Sequence, residues 1–480
     1  MKNNITNFIS IALLGSLIGS GSKYVLNAVI AQFGGADTLG LFSLGTVIIG
    51  VGGLIGRAGL DNAVLKFVPS IDVNESRSEP LLAVIFSFIL GVSTVAMFYL
   101  IYPEISSMYG YPNSWEIYIF AVGVPFQAVT WVLIKSTQVS NNTQYTVYIR
   151  DLGQATSALL FISILLFVLP SDLAVALGFV CSFLVSILTG VVLNQRLGLI
   201  SWNLSISDFS LVKNMLIYSV PVMIASASQY LVSWTDVLVL SGLTTSQNVG
   251  FYQAAFQTSA VLSLVLNATN SIFPSLASEY HTQNKIKELK ALTSSVTKWI
   301  SYFTVIGFIL IVYKSEFILS SIFGAEFSIA STSLILLSAG NLAAALTGPV
   351  GYVLIMSGYE RIDLSNNIII VIVNLLLNIY LIPRSGILGA AIATSSSILL
   401  LNVVRLLQVW YTMGIYPQIR NYSRIVFFML LSFFLLFFLD NLFLDIISIF
   451  IYLFSALLMP ISYIRFFGIP KRDEILFDAM

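Results

Sequence analysis

The chain has 480 residues, of which 57% are hydrophobic and 9% charged, and its formal net charge is zero. A soluble protein carries about 25% charged residues, so this chain lacks the polar surface that water demands and must use lipid as solvent. The even charge balance gives no overall bias toward nucleic acid, and the single cysteine (Cys181) and single histidine (His281) exclude an internal disulfide, a cysteine cluster and an HExxH site.

The first apolar run follows Lys2 and has no small-residue cleavage site after it, so it reads as a retained helix, not a signal peptide. Apolar runs of about 20 residues then follow one another, without the short alternating segments of a barrel. They predict about fourteen helical spans, over 6–33, 38–66, 80–102, 115–138, 145–168, 173–194, 213–240, 248–276, 292–313, 332–356, 363–383, 387–412, 420–440 and 443–467. The longest connections, around Val68–Glu79, Gln195–Val212 and Ser278–Ala291, are too short for a catalytic domain. The stretch His281–Lys290 reads as a charged turn of helix at the membrane surface.

Loops after even-numbered spans carry Arg77, Arg196, Lys213, Lys285, Lys287, Lys290, Arg361, Arg420 and Arg424, and the tail carries Lys471 and Arg472. Loops after odd-numbered spans offer little beyond Lys314 and Arg384. The positive-inside rule therefore places both termini in the cytoplasm.

An internal repeat is visible. Gly35-Ala36-Asp37-Thr38-Leu39-Gly40-Leu41-Phe42 corresponds to Thr245-Ser246-Gln247-Asn248-Val249-Gly250-Phe251-Tyr252, and Phe67-Val68-Pro69 to Phe273-Pro274. Val132-Leu133-Ile134-Lys135-Ser136 resembles Val353-Leu354-Ile355-Met356-Ser357, and Leu169-Pro170 resembles Ile382-Pro383. The offset of roughly 210–220 residues allows six spans per repeat in one orientation, with a substrate path between the halves. The expected fold is an all-α integral membrane protein: an N-terminal lobe over 1–200, a C-terminal lobe over 201–415, and two extra helices with a cytoplasmic tail over 416–480.

A charge deep in a span costs on the order of 3 kcal/mol, so each one asks for a reason. Lys23 falls in span 1, and Arg57 and Asp61 fall four apart in span 2, amid Gly15, Gly19, Gly21, Gly50, Gly52, Gly53, Gly56 and Gly59. Two cations facing one carboxylate, with so much glycine, favour a cationic chamber for an anionic head group. The structural alternative is a buried Arg57–Asp61 pair with Lys23 snorkelling outward. Asp236 on span 7, Asn374 and Asn378 on span 11, and Thr394 on span 12 can reach a similar depth. Their oxygens suit Na+ or H+, and they suit interhelical hydrogen bonding equally. Gln253 and Asn270 on span 8 could line a lumen. Arg150 and Asp151 at the start of span 5 read as interface anchors, with an inner gate as the alternative. There is no Walker A motif, no GxSxG and no DxD-type carboxylate pair, so no enzyme signature is present.

Several segments in order resemble the polysaccharide and O-antigen flippases of the multidrug/oligosaccharidyl-lipid/polysaccharide (MOP) exporter superfamily. They are Gly34 through Phe42, Gly59-Leu60-Asp61-Asn62-Ala63-Val64-Leu65-Lys66-Phe67-Val68-Pro69, Asp236, and Val249-Gly250-Phe251-Tyr252-Gln253-Ala254-Ala255 with Phe273-Pro274. Gly348-Pro349, Met356-Ser357-Gly358-Tyr359, Val373-Asn374-Leu375-Leu376-Leu377-Asn378, Ile382-Pro383 and Gly386 through Thr394 complete the set. The resemblance implies two six-helix lobes that alternate between inward- and outward-open forms in a bacterial inner membrane. It implies transport of an undecaprenyl-diphosphate-linked oligosaccharide from the cytoplasmic to the outer leaflet, with a polysaccharide polymerase and a chain-length regulator as partners. In the related lipid II flippases basic residues of spans 1 and 2 bind the diphosphate, a placement that Lys23 and Arg57 match. A sodium site in such a relative is matched by Asp236, Asn374, Asn378 and Thr394, although Asn378 lacks a charge. No cofactor is expected beyond Na+ or H+ as coupling ion. The competing readings are a cation-coupled multidrug antiporter of the same superfamily and a membrane polysaccharide polymerase or glycosyltransferase.

Overall fold

The structure, a computed structural model of the chain, describes residues 2–68, 79–109, 114–140, 144–199, 208–270, 273–415, 433–440 and 445–454, with 111, 430, 431 and 458 besides. Most of the two extra spans and the tail lie outside the described residues, as do Pro69, Arg77, Arg420, Arg424, Lys471 and Arg472. Among the described residues there is no strand.

The chain opens with α1 (Lys2–Arg57), α2 (Leu60–Phe67), α3 (Glu79–Tyr109) and α4 (Trp115–Gln138). A short turn, α5 (Gln144–Thr146), enters a π-helical stretch, Val147–Thr156, that continues as α6 (Ser157–Leu165). Next come α7 (Ser171–Arg196), α8 (Asp208–Leu243), α9 (Ser246–Ala260), α10 (Leu264–Asn270) and α11 (Phe273–Thr282). The remainder is α12 (Ile286–Phe323), α13 (Ser331–Thr347), α14 (Val350–Met356) and α15 (Glu360–Met413).

Eight helical stretches among the described residues are long and apolar enough to cross a bilayer. Two are far too long for one crossing. At about 1.5 Å per residue a straight helix of α1's length would run about 84 Å, against a hydrocarbon layer of about 30 Å. Gly35 breaks α1 with φ 74°, and Gly386 breaks α15 with φ 54°. Only glycine enters such conformations without steric cost, so the two breaks separate consecutive spans where the sequence predicts loops.

The chain divides into two compact units, residues 1–253 and 254–480. In the first, α4 packs against α1, α2, α3 and α7. Phe120, Ala121, Val132 and Leu133 on α4 are fully buried, because a helix enclosed by helices must be apolar all round. By contrast α3 exposes Leu100, Met97 and Ile89, as a lipid-facing helix does. In the second unit α13 packs on α12 and α15, and Ser395 Oγ donates to the Leu336 carbonyl at 2.7 Å. Lys314, at a non-helical position in α12, pairs with both Asp440 and Asp445, and Tyr452 donates to the Ile306 carbonyl at 3.1 Å. This ion cluster fastens the described part of the two extra helices to α12.

The internal repeat meets itself within the first unit. A Cβ placed on Gly40 would lie 1.8 Å from the Ser246 carbonyl oxygen, and one on Gly250 would lie 1.9 Å from the Ala36 carbonyl oxygen. Position 40 corresponds to 250 in the repeat, and 36 to 246 by the same offset. The contact is therefore reciprocal, as in a two-fold interface. Neither glycine tolerates a side chain, since the obstructing atoms are backbone. Gly250→Ala is expected to cost about 1–3 kcal/mol by overpacking and to lower the melting temperature of the detergent-solubilised protein. Gly21→Ala, with nothing within 4 Å of its Cβ position, should not lower it.

Candidate functional site

Two charge clusters of the first unit involve residues that the sequence singles out. At the first, Arg57 ends α1 and Asp61 lies in the first turn of α2, with Arg57 Nε 3.2 Å from Asp61 Oδ2. The pair forms, but not on the continuous helix that the four-residue spacing predicts. Ala58 and Gly59 are both left-handed, with φ 46° and 76°, and they break the helix between the two charges. A left-handed alanine costs on the order of 1–3 kcal/mol and persists only where its surroundings hold it. Here the Arg57–Asp61 bridge spans the break. Asp61 also sits at the positive end of α2, where a carboxylate is favoured.

The guanidinium of Arg57 lies 5.2 Å over the Trp131 ring, and Tyr230 is its other polar neighbour. Arg57 is 8% exposed and Asp61 2%, and Arg57 Nη1 has no hydrogen-bond partner among the described residues. Three of the glycines around this pair have their Cβ positions occupied by neighbours. Cβ atoms on Gly50, Gly53 and Gly56 would meet Tyr230 Oη at 1.7 Å, Gln127 Oε1 at 1.5 Å and Gly91 Cα at 2.8 Å. They serve close helix approach, the other use that the sequence allowed.

At the second place Lys23 is exposed and Gly21 beside it faces open space. The charged neighbours of Lys23 are Arg150 and Asp151. Arg57's ion-pair partner is Asp61. Arg150 grips Asp151 with Nε and Nη2, each at 3.0 Å, and Asp151 is 2% exposed. The two cations read together from sequence thus have different neighbours, one buried and one accessible.

Asp236 is buried and accepts a hydrogen bond from Tyr252 Oη at 2.7 Å. Tyr252, fully buried, is a partner that the sequence reading missed, although it lies one residue from the predicted Gln253. Gln253 is 3% exposed, and among the described residues neither its Oε1 nor Asn270 Oδ1 has a hydrogen-bond partner. In the second unit Asn378 Nδ2 donates to Asn374 Oδ1 at 3.0 Å, as the four-residue spacing predicts, and Thr394 follows the Gly386 break on the same helix, α15.

Sequence reasoning also passed over Arg405 and Asp363. Arg405 Nε lies 2.7 Å and Nη2 3.1 Å from the Asp363 oxygens, Nη2 reaches Asn367 Oδ1 at 3.2 Å, and Asn366 and Gln408 exchange two amide hydrogen bonds. The signal was available: Asp363 opens span 11 and Arg405 is near the end of span 12, so antiparallel neighbours would bring them level.

Residues 29–332 match the family described as "Polysaccharide biosynthesis protein". The chain belongs to that family. A curated relative, the probable low-salt glycan biosynthesis flippase Agl15 of Haloferax volcanii, is 25% identical over 80% of this chain and 79% of its own length. The capsular polysaccharide biosynthesis protein CapF of Staphylococcus aureus is 26% identical over 41% of this chain and 49% of its own. Among solved structures, the lipid II flippase MurJ in an inward closed conformation superposes with TM-score 0.73 at 14% identity, covering 94% of this chain and 98% of that one. The Vibrio cholerae MATE transporter VcmN superposes with TM-score 0.56 at 14% identity, covering 87% and 98%. The family member described here therefore has a multi-pass membrane fold of the MurJ and MATE kind.

Removing one member of a buried ion pair strands the other. Arg57→Met and Asp61→Leu should each cost about 3–5 kcal/mol, and the double variant that combines them should cost less than either single change. Thermal unfolding of the four proteins in detergent measures that coupling.

Proposed function

We propose that this family member is a flippase that moves an undecaprenyl-diphosphate-linked oligosaccharide from the cytoplasmic to the outer leaflet. The family match over most of the chain carries the reading. It is supported by the names of the relatives, two of which work in glycan or capsule assembly, and by the accessible cation Lys23 among apolar helices. A lysine exposed at that position needs water or an anion beside it, and the diphosphate of a polyprenyl carrier supplies the anion. Sugars would occupy a polar path while the prenyl chain stays in lipid.

The architecture proposed for this task is fourteen crossings in two six-helix repeats plus two extra helices, with both termini in the cytoplasm of a bacterial inner membrane. Rocking of the repeats gives alternating access. The Gly40–Gly250 crossing, where both repeats meet backbone to backbone, is the contact that such a motion must part. Asp236 with Tyr252, and Asn374 with Asn378 and Thr394, are the proposed oxygen donors for a coupling Na+ or H+. Lys23 contacts the diphosphate, Arg57 is a second, buried charge on the same helix, and Gln253 and Asn270 offer acceptors to sugar hydroxyls. A polysaccharide polymerase and a chain-length regulator would act on the product.

Deletion of the gene tests the function. Lipid-linked oligosaccharide should accumulate on the cytoplasmic leaflet, as read by accessibility to a membrane-impermeant glycosidase in oriented vesicles. Normal surface glycan with altered tolerance to cationic drugs would instead identify an antiporter.

A further inference from the structure

The Arg150–Asp151 pair sits on a segment built to hold it. A Cβ on Gly15 would meet Val147 Cγ1 at 2.0 Å, a Cβ on Gly19 would meet Asp151 Cβ at 2.5 Å, and the Phe33 and Phe167 rings lie 5.9 Å apart. Positions 15, 19 and 33 meet 147, 151 and 167 in the same order, so the first half of α1 runs parallel to the segment from Val147 onward. The small residues Gly15 and Gly19, four apart, form the face that admits the carboxylate.

Opposite that face the backbone is π-helical over Val147–Thr156. Such a stretch displaces backbone carbonyls, and side chains recover them. Ser186 Oγ donates to the Ile149 carbonyl at 2.9 Å, and Ser157 Oγ donates to that of Gly153. Single π turns inside helices occur frequently at functional sites. Here the turn presents adjacent residues differently: Asp151 points inward to Gly19, while Arg150 folds back onto it and keeps 39% of its side chain exposed.

An arginine that anchors a helix at the membrane surface reaches out to head groups. Arg150 does the reverse, since both bonds of its fork go to a carboxylate that is 2% exposed. Lys23 then faces Arg150 with no carboxylate other than Asp151 among its charged neighbours, and that one is occupied. Two cations and one carboxylate leave a net positive charge at an accessible point beside the open space at Gly21.

The geometry points to Lys23 and Arg150 as a phosphate-binding subsite, with Asp151 as the positioning residue that aims the guanidinium. This rests on the flippase reading and adds to it the second cation that contacts the lipid's diphosphate. With Nε and one Nη2 hydrogen engaged by Asp151, the outer Nη1–Nη2 edge of the guanidinium is left to match two phosphate oxygens, and the ammonium acts as a point charge on the next phosphate. Asp151 packs against Gly19 and bonds Arg150, and it acts through that arginine.

The test uses the full-length protein in nanodiscs of zwitterionic lipid, titrated with geranylgeranyl diphosphate, geranylgeranyl monophosphate and inorganic pyrophosphate. Wild type should bind the prenyl diphosphate more tightly than the monophosphate. Lys23→Gln and Arg150→Gln should each weaken the diphosphate about tenfold, a loss of ~1.4 kcal/mol. Arg150→Lys, which keeps the charge and the pairing with Asp151, should melt like wild type yet lose the preference for diphosphate over monophosphate. Asp151→Asn should weaken diphosphate binding, whereas a merely structural role would change stability and leave the preference untouched. Inorganic pyrophosphate competing at equal concentration would assign the subsite to a free anion and overturn the lipid assignment. An Arg150→Gln protein that binds as wild type does overturns the subsite and leaves the flippase reading standing. A wild type that ignores both prenyl probes overturns the two together.

Discussion

A charge in hydrocarbon needs an opposite charge or water, and that requirement organises this molecule. Arg57 meets it with Asp61, Arg150 with Asp151, Arg405 with Asp363, and Lys314 with Asp440 and Asp445. Three of these four clusters join different parts of the chain. Arg57–Asp61 spans a break between α1 and α2, Arg405–Asp363 ties the two halves of α15, and Lys314 fastens residues from the last helices to α12. The pairs therefore act as fixed points that orient helices in a solvent where apolar burial distinguishes little between one packing and another. Lys23 differs from these. It is accessible, and its one neighbouring carboxylate is already engaged.

Glycine supplies the complementary device. Without a strong hydrophobic drive between helices, close approach must come from small side chains. The glycines of α1 admit Tyr230, Gln127 and Gly91 at the buried pair, and Asp151 at the accessible one. At Gly40 and Gly250 the same principle brings two copies of one repeated motif into reciprocal contact. A contact made only of backbone and glycine holds firmly in one arrangement yet leaves no interlocked side chains to disentangle when it separates. That property suits a junction that has to open and close.

Much of this was legible in the sequence. Composition dictated the membrane, because no soluble fold could be built from so few charges. The run lengths gave the helices, and the repeated Gly-aromatic motif at 35–42 and 245–252 marked the two segments that meet. The Arg57–Asp61 and Asn374–Asn378 pairs followed from four-residue spacing. What was not legible depended on contacts between distant segments. A π-helical turn leaves no period in hydropathy, so Arg150 and Asp151 looked like ordinary ends of a span. The proximity of Lys23 to Arg150 needs the parallel packing of two helices more than a hundred residues apart. The glycines of span 2 could equally have lined a chamber or closed a joint, and the close approach of Tyr230, Gln127 and Gly91 to three of them is not readable from the sequence. Tyr252 escaped notice because a buried tyrosine in a membrane helix is common and its hydroxyl partner cannot be read locally.

The central claim is that the helices themselves carry a diphosphate-linked lipid across the bilayer, using a few buried charges. Reconstitution tests it most directly. The purified protein would be placed in liposomes loaded in both leaflets with a short-chain prenyl-diphosphate oligosaccharide bearing a fluorophore on the sugar. An impermeant quencher is then added outside. In protein-free liposomes about half of the signal should survive, since the charged head group does not cross lipid unaided. With the protein present nearly all signal should be lost, on a timescale set by transport, and loss should slow in Lys23→Gln liposomes that hold the same amount of folded protein. Loss of only half the signal at any protein-to-liposome ratio, with the protein folded and correctly inserted, would contradict the account.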